Sequence, residues 1–301
     1  MSPRFLSLRG VAYIILSFHL TGLPIAEPVS LAQIKQQCRV DASFTNDDAI
    51  LTLYGIAARE YAEKYTRRAF FPQSWRMTLD HFPVATFSPT VNPAMRNDWM
   101  FFNGVYGGMT IALPRPRCLS VQSIGYADQG GAAQIVPATG YYVDRSSEPA
   151  RIVPTAGFFW PTATLYQPGS VKVDFISGSY AKPITAPEAF TVPSSAPFTY
   201  APRQTPVGIV GVTDASGNDV SYTFDNGEFV FSSSQAGSSC SANYYVSTLP
   251  QSIALSILML ASHWYNCPEA ANPSAPKSIP FGVAELLDLY AFECPDLESV
   301  V

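Results

Sequence analysis

"DDAILTLYGIAAREYAEKYTRRAFFPQSWRMTLDHFP", residues 47–83, changes its hydrophobic period part-way, and that change decides the fold. Before Arg68, apolar residues recur every three or four positions, so Ile50, Leu53, Ala57, Tyr61 and Tyr65 share one side of a helix. Arg59, Glu60, Glu63 and Lys64 read as its charged neighbours. Thr45, followed by Asn46, Asp47 and Asp48, supplies a cap and negative charge at the positive end of the helix dipole. Pro72 forbids much continuation, because it lacks the amide that the next turn needs. From Phe71 the period is two: Trp75, Met77 and Leu79 alternate with Arg76, Thr78 and Asp80, which describes a half-buried strand.

Working outward, "SLAQIKQQCRVD" (30–41) opens on a capping box, in which the Ser30 hydroxyl bonds the amide of Gln33 and Gln33 reaches back. Leu31, Ile34 and Cys38 then form the stripe of a first, shorter helix. Downstream, "IALPRPRCLSVQSIGYADQGG" (111–131), "YYVDRSSEPARIVP" (141–154) and "SVKVDFISGSY" (170–180) read as short strands broken by Gly, Pro and Asp turns, a small antiparallel sheet. Residues 182–247 look inserted. A Pro-rich lead-in precedes alternating segments, and Asn226-Gly227 between "VSYTFD" and "EFVF" signals a type I′ hairpin. A compact sandwich or barrel of four or more strands is expected there. Helix returns at Pro250: "QSIALSILMLASHWYN" (251–266) is apolar nearly all round yet too short to span a bilayer, so it should be the core helix against 46–68. "IPFGVAELLDLY" (279–290) is a last short helix or arm.

The expected fold is therefore α+β: a small helical bundle with an antiparallel sheet region, and an inserted all-β domain. The expected domains are an extension at 1–26, a core at 27–181 with 248–301, and the insert at 182–247.

The bulk properties agree. The chain has 301 residues, 47% hydrophobic and 14% charged, which is ample for a core; 26 Pro, 16 Tyr and 19 Phe suit a β-rich body with many turns. A net charge of −5 argues against tight DNA binding, which depends on neutralising phosphates with Lys and Arg. Five scattered cysteines with no CxxC spacing read as free thiols of a reducing compartment. Residues 1–26 place Arg4 and Arg9 before an apolar run. This reads as a signal-like leader, an upstream start, or an arm that docks on a neighbour.

Catalytic chemistry finds no constellation. His263 and Cys267 lie four apart on one helical face, but zinc wants three or four ligands and Pro268 ends the helix. His263 is expected instead to cap that helix end through a hydrogen bond. Ser179 to Lys182 matches S-x-x-K, but Pro183 and the preceding strand deny it the helical turn that this chemistry requires. Neither G-x-S-x-G, a P-loop, G-x-G-x-x-G nor H-E-x-x-H occurs, and the three histidines are far apart. No residue is assigned to catalysis, metal or cofactor. What remains is aromatic. "WMFFNGVYGG" (99–108) and "GFFWPTATLYQPG" (157–169) sit in loop-like contexts that suit either protein interfaces or core packing. Arg115 and Arg117 of "LPRPR" read as a solvated loop or a contact for an acidic partner.

"EPVSLAQIKQQCRVD" followed by 47–83 resembles the start of phage head–tail connector (adaptor) proteins: a short helix ending R-V-D, then a longer one ending A-R-E-x-x-E-x-Y-T-x-R. The resemblance continues through 111–180 and 249–290, and the family's H-W-Y helix end is similar to "HWYNCPEA". It departs at 1–26, at the long excursion 83–110, and at the insert. The resemblance implies a virion structural protein. It would form a homo-oligomeric ring, usually of twelve subunits, between the portal and a tail-side component (stopper, tail or nozzle protein). Genomic double-stranded DNA would pass through without specific binding, no membrane would be involved, and assembly would take place in the host cytoplasm. It also directs attention to partner contacts: Trp99, Phe101, Phe102 and Tyr106 in the aromatic excursion, Arg115 and Arg117, and Phe281, Leu286, Leu287 and Tyr290 in the last segment. The alternative is a secreted or periplasmic β-rich binding protein, with 1–26 cleaved and four of the five cysteines bridged.

Overall fold

The computed structural model describes residues 15–83, 109–161, 168–267 and 281–292. The chain divides into two compact units. One comprises residues 1–23, 73–178 and 292–301; the other comprises 24–72 and 179–291. The division runs between the first helices and the first sheet, so the strands of 182–247 share a unit with the helices.

The first unit is built from β1 (Ile15–Gly22), β2 (Gln73–Leu79), β3 (Ile111–Ala112), β4 (Cys118–Ala127), β5 (Ala133–Ile135), β6 (Tyr141–Asp144), β7 (Arg151–Pro154) and β8 (Val171–Ser177). Five of these form an antiparallel sheet in the order β1-β2-β8-β4-β5, and β3-β7-β6 form a second. Met77 and Leu79 are buried while Arg76 and Thr78 are not, as the period of two requires. They join Ile124, Val173, Phe175, Ile111 and Ile152 in one core between the sheets. Trp160 closes it: the indole stacks on Phe82 at 5.2 Å and its N–H donates to the carbonyl of Met109. The loop aromatics at 157–160 thus divide, with Trp160 buried, Phe158 half-buried and Phe159 exposed. Residues 15–22, read from sequence as part of an extension, are a strand on the sheet's edge, with Phe18 stacked on Trp75 at 4.5 Å.

The second unit contains α1 (Leu31–Cys38), α2 (Asp48–Thr66), α3 (Gln251–Asn266) and α4 (Phe281–Asp288). The capping box is present as expected: Gln33 N–H donates to Ser30 Oγ and Ser30 N–H to Gln33 Oε1. Both α1 and α2 end in the same Schellman turn, with Arg39 (φ 59°) and Arg67 (φ 57°) in the left-handed position usually given to glycine. The α2 face differs from the expected one. Ile50, Leu53 and Ala57 point to solvent, and the buried side is Leu51, Gly55, Ala58, Arg59, Ala62, Glu63 and Thr66. The reason is steric: Gly55, with no side chain, lets α1 approach closely, and a Cβ there would stand 2.6 Å from Ile34 Cδ1. The expected cap at Thr45 also differs. Asp47 is the N-cap and makes no capping bond, because its carboxylate accepts from Tyr265 on α3 at 2.7 Å. Leu51, Ile253, Ile257, Leu260, Val283 and Leu287 fill the bundle's core, each such side chain contributing about 1.5–3 kcal/mol.

The remaining strands of this unit are β9 (Ala181–Pro183), β10 (Glu188–Thr191), β11 (Thr199–Tyr200), β12 (Pro206–Asp214), β13 (Thr223–Asp225), β14 (Glu228–Val230) and β15 (Ser239–Ser247). The sheet β10-β15-β12, with β9 also on β15, faces the sheet β11-β14-β13 across a core of Val212, Phe229, Phe231 and Tyr244. This is the expected small sandwich. Asn226 (φ 48°) and Gly227 (φ 85°) turn its hairpin with the two positive φ values that a type I′ turn needs. Its root is stitched by backbone to the segment that leaves α2, Ser179 N–H to Ala69 O and Tyr180 N–H to Phe70 O, and its two ends are joined by Thr248 N–H to Tyr180 O. Extended structure there removes the helical turn that an S-x-x-K site at Ser179 and Lys182 would need.

Candidate partner-binding surfaces

Four charged clusters set the shape of the surfaces that a partner could meet. Lys35 is buried on α1, where its ammonium donates to the carbonyls of Ala42 and Phe44 and pairs with Asp48 at 2.6 Å. One cation therefore closes the loop between α1 and α2, and Asp47 and Asp48 hold helices together through Tyr265 and Lys35.

Arg59 is only 2% exposed. It donates to Glu27 from Nε and to Glu63 from Nη1, both at 2.8 Å, while Glu63 Oε1 accepts the Phe70 N–H at 2.8 Å. Glu63 therefore fixes the exit of α2, and Glu27 fixes the approach to α1. Sequence reading gave Arg59 and Glu63 only as charged neighbours of the apolar stripe. A signal existed in their spacing of four, which allows an ion pair, but it does not say which side of the helix is covered.

The last helix is latched to α2. Tyr65 donates to Asp288 at 2.6 Å, which pushes its phenol up to about 12, and Arg68 Nε donates to the Tyr290 carbonyl at 2.9 Å. Tyr290 packs edge-on against Tyr180. Among the expected contact residues here, Leu287 is wholly inside the bundle core, whereas Leu286 and Tyr290 are half-buried. Phe281 opens α4. The neighbouring Leu289 is 72% exposed and was not singled out from sequence.

In the first unit, Arg76 and Asp174 form a double hydrogen bond across β2 and β8 at 2.6 and 2.8 Å, and Ser123 on β4 donates to the same carboxylate. The Arg76 guanidinium holds the Asp174 carboxyl below the usual carboxylate range. Arg115 lies 5.2 Å over the Trp75 ring, and Trp75 is stacked on its other partner, Phe18. Arg117 is exposed, and its carbonyl accepts from Ser177 Oγ and Gly178 N–H. The two arginines are thus a built corner of the sheet, with one guanidinium committed to an aromatic stack. Trp99, Phe101, Phe102 and Tyr106 lie outside the described residues.

Nothing gathered here forms a reaction centre. Among the described residues, no group of three or more His, Cys, Asp and Glu could hold a metal ion. His263 closes α3 through its backbone carbonyl, which accepts from Cys267 N–H at 2.9 Å. Among the described residues, Cys38, Cys118, Cys240 and Cys267 are free thiols. No helix of the described residues is long and apolar enough to cross a membrane.

Residues 28–95 match the family described as phage gp6-like head-tail connector protein. That match spans α1, the Lys35 cluster, α2 with its Arg59–Glu63 pair, and β2. No curated protein sequence matches the chain. Its fold is similar to that of a chain in the neck of an empty gene transfer agent (GTA) particle with C6 symmetry, at 16% identity over 93% of this chain and 97% of the other, with a TM-score of 0.50. A chain in the virion of the native gene transfer agent particle is similar at 15% identity, 93% and 97% coverage, and a TM-score of 0.49.

Proposed function

We propose that this chain is a virion structural protein, the head–tail connector that sits as a ring under the portal and joins the capsid to the tail. The observation that carries the reading is the connector-family match at 28–95, which falls on a helix pair whose family-like charged positions are built into the fold. The likeness over 93% of the chain to a neck protein extends the fold argument through the second sheet and the insert. The C6 symmetry of the neck that holds that neighbour supports a ring, and twelve copies, the number the connector resemblance implies, is the one we favour.

In this reading the ring lengthens the channel for genomic double-stranded DNA. A chain of net charge −5 lets DNA slide, since a cationic wall would hold the phosphates. Portal and tail contacts fall to the aromatic excursion with Trp99, Phe101, Phe102 and Tyr106, and to the outward side of the last segment, with Leu286 and Tyr290. Leu287 serves the chain's own core. Arg115 and Arg117 offer the sheet's corner to an acidic partner. The insert belongs on the ring's outer side, because bulk in the lumen would obstruct DNA. The site of action is the virion, with assembly in the host cytoplasm.

Electron microscopy of the purified protein mixed with its portal tests the reading. The expected result is a ring coaxial with the portal; a strictly monomeric chain that ignores the portal would end it.

A further inference from the structure

The five-stranded sheet has two open ends. Its order is β1-β2-β8-β4-β5, and among the described residues no strand pairs on the outer side of β1 or of β5. An edge strand presents unpaired N–H and C=O groups, and proteins usually guard such edges with charge, proline or bulges. β1 is weakly guarded. Ile15–Gly22 contains no Lys, Arg, Asp, Glu or Pro, and its register shifts lie at the two ends, leaving Ser17 to Leu20 in regular pairing. Leu20 and the following Leu23 are exposed, and the Phe18–Trp75 stack holds the strand firmly in place as a template. β5 is similar. Ala133, Gln134 and Ile135 are all exposed, Ile135 at 73%, and Asp128 fixes the strand by accepting from Ala132 N–H and the Gln134 side-chain amide.

We propose that β5 of a second copy of this chain adds to the outer edge of β1, so that neighbouring subunits continue one sheet head to tail. The inference rests on the ring reading, and it says what closes the ring. A heterologous interface needs two different patches at opposite sides of one subunit that fit each other. Two open edges of one sheet meet that requirement through the backbone itself. The geometry also fixes the sense of the joint. All four internal pairings are antiparallel, so five strands leave β1 and β5 running the same way. Rotation about the ring axis preserves that sense, and the joint is therefore parallel. β5 is short, so the joint sets register and adds a few main-chain bonds, and further surface supplies the rest of the area that a stable interface buries.

Thiol cross-linking of the assembled full chain tests the proposal. The variant carrying both His19→Cys and Gln134→Cys, treated with a short bismaleimide, should give a ladder of covalent oligomers on a denaturing gel. Each single variant and the wild type, whose own cysteines serve as background, should not. Leu20→Lys should keep the fold by circular dichroism and lose the ring peak in native mass spectrometry. Intact rings without the ladder would overturn the edge-to-edge joint and leave the ring reading standing. Dimers from His19→Cys alone would overturn it in favour of β1 pairing with β1. A wild-type chain that is monomeric even with portal present would overturn both readings.

Discussion

Arg59 Nη1 donates to Glu63 Oε2 at 2.8 Å inside the bundle, with Arg59 2% exposed. Removing one member of a buried pair and leaving the other uncompensated costs about 3–5 kcal/mol, but Arg59 keeps Glu27 as a second partner at 2.8 Å. Glu63→Ala should therefore lower the stability of the chain by less than about 3–5 kcal/mol, read as a shift of the urea midpoint. It also removes the acceptor for Phe70 N–H. Glu63→Gln, which can still accept the Phe70 N–H, should cost less than Glu63→Ala.

Gly55 and Ile34 set the spacing of α1 and α2. A methyl at Gly55 would meet Ile34 Cδ1 at 2.6 Å, and overpacking of this kind costs about 1–3 kcal/mol. Gly55→Ala should destabilise by that order, and adding Ile34→Val, which removes the offending carbon, should recover part of the loss. A double-mutant cycle with no coupling would mean that the helices adjust elsewhere.

The Arg76–Asp174 bond predicts an acid dependence. Because the folded carboxyl titrates below its ordinary value, its contribution is present above the unfolded value near 4 and is lost as pH falls through the folded one. Thermal melts of the wild type should show stability falling below about pH 4, and Asp174→Asn should be less stable at neutral pH with a flatter acid limb.

Arg39 is exposed and holds φ at 59°. Glycine adopts that conformation without steric cost, so Arg39→Gly should leave stability unchanged or raise it by up to about 1 kcal/mol. A clear loss in the melting temperature would show that the arginine side chain has a role of its own there.

Tyr65 and Asp288 latch the last helix. Tyr65→Phe should raise amide hydrogen exchange in 281–290 while exchange in α3 stays as it was. In the wild type the phenol pushed up to about 12 keeps the latch through neutral pH; raising pH from about 10 towards 12 should weaken it, since the unfolded phenol ionises first.

Local patterns alone determined much of this protein. The Ser30–Gln33 box, the change of period after Pro72, the Asn226-Gly227 hairpin and the apolar helix 251–266 each depend on neighbours within a few residues, so the chain states them directly. The connector-like motif could be recognised for the same reason. Choices between distant partners were decided only by the tertiary structure. α2 carries apolar residues on two faces, and the covered face is the one where Gly55 admits Ile34 and where Arg59 finds Glu27. Residues 15–22 carry no turn or alternation that marks them as a strand, and they become one because β2, some fifty residues on, offers Trp75 as a platform for Phe18. Burial and edge pairing are properties of what a segment meets, and a one-dimensional period records only what the segment is.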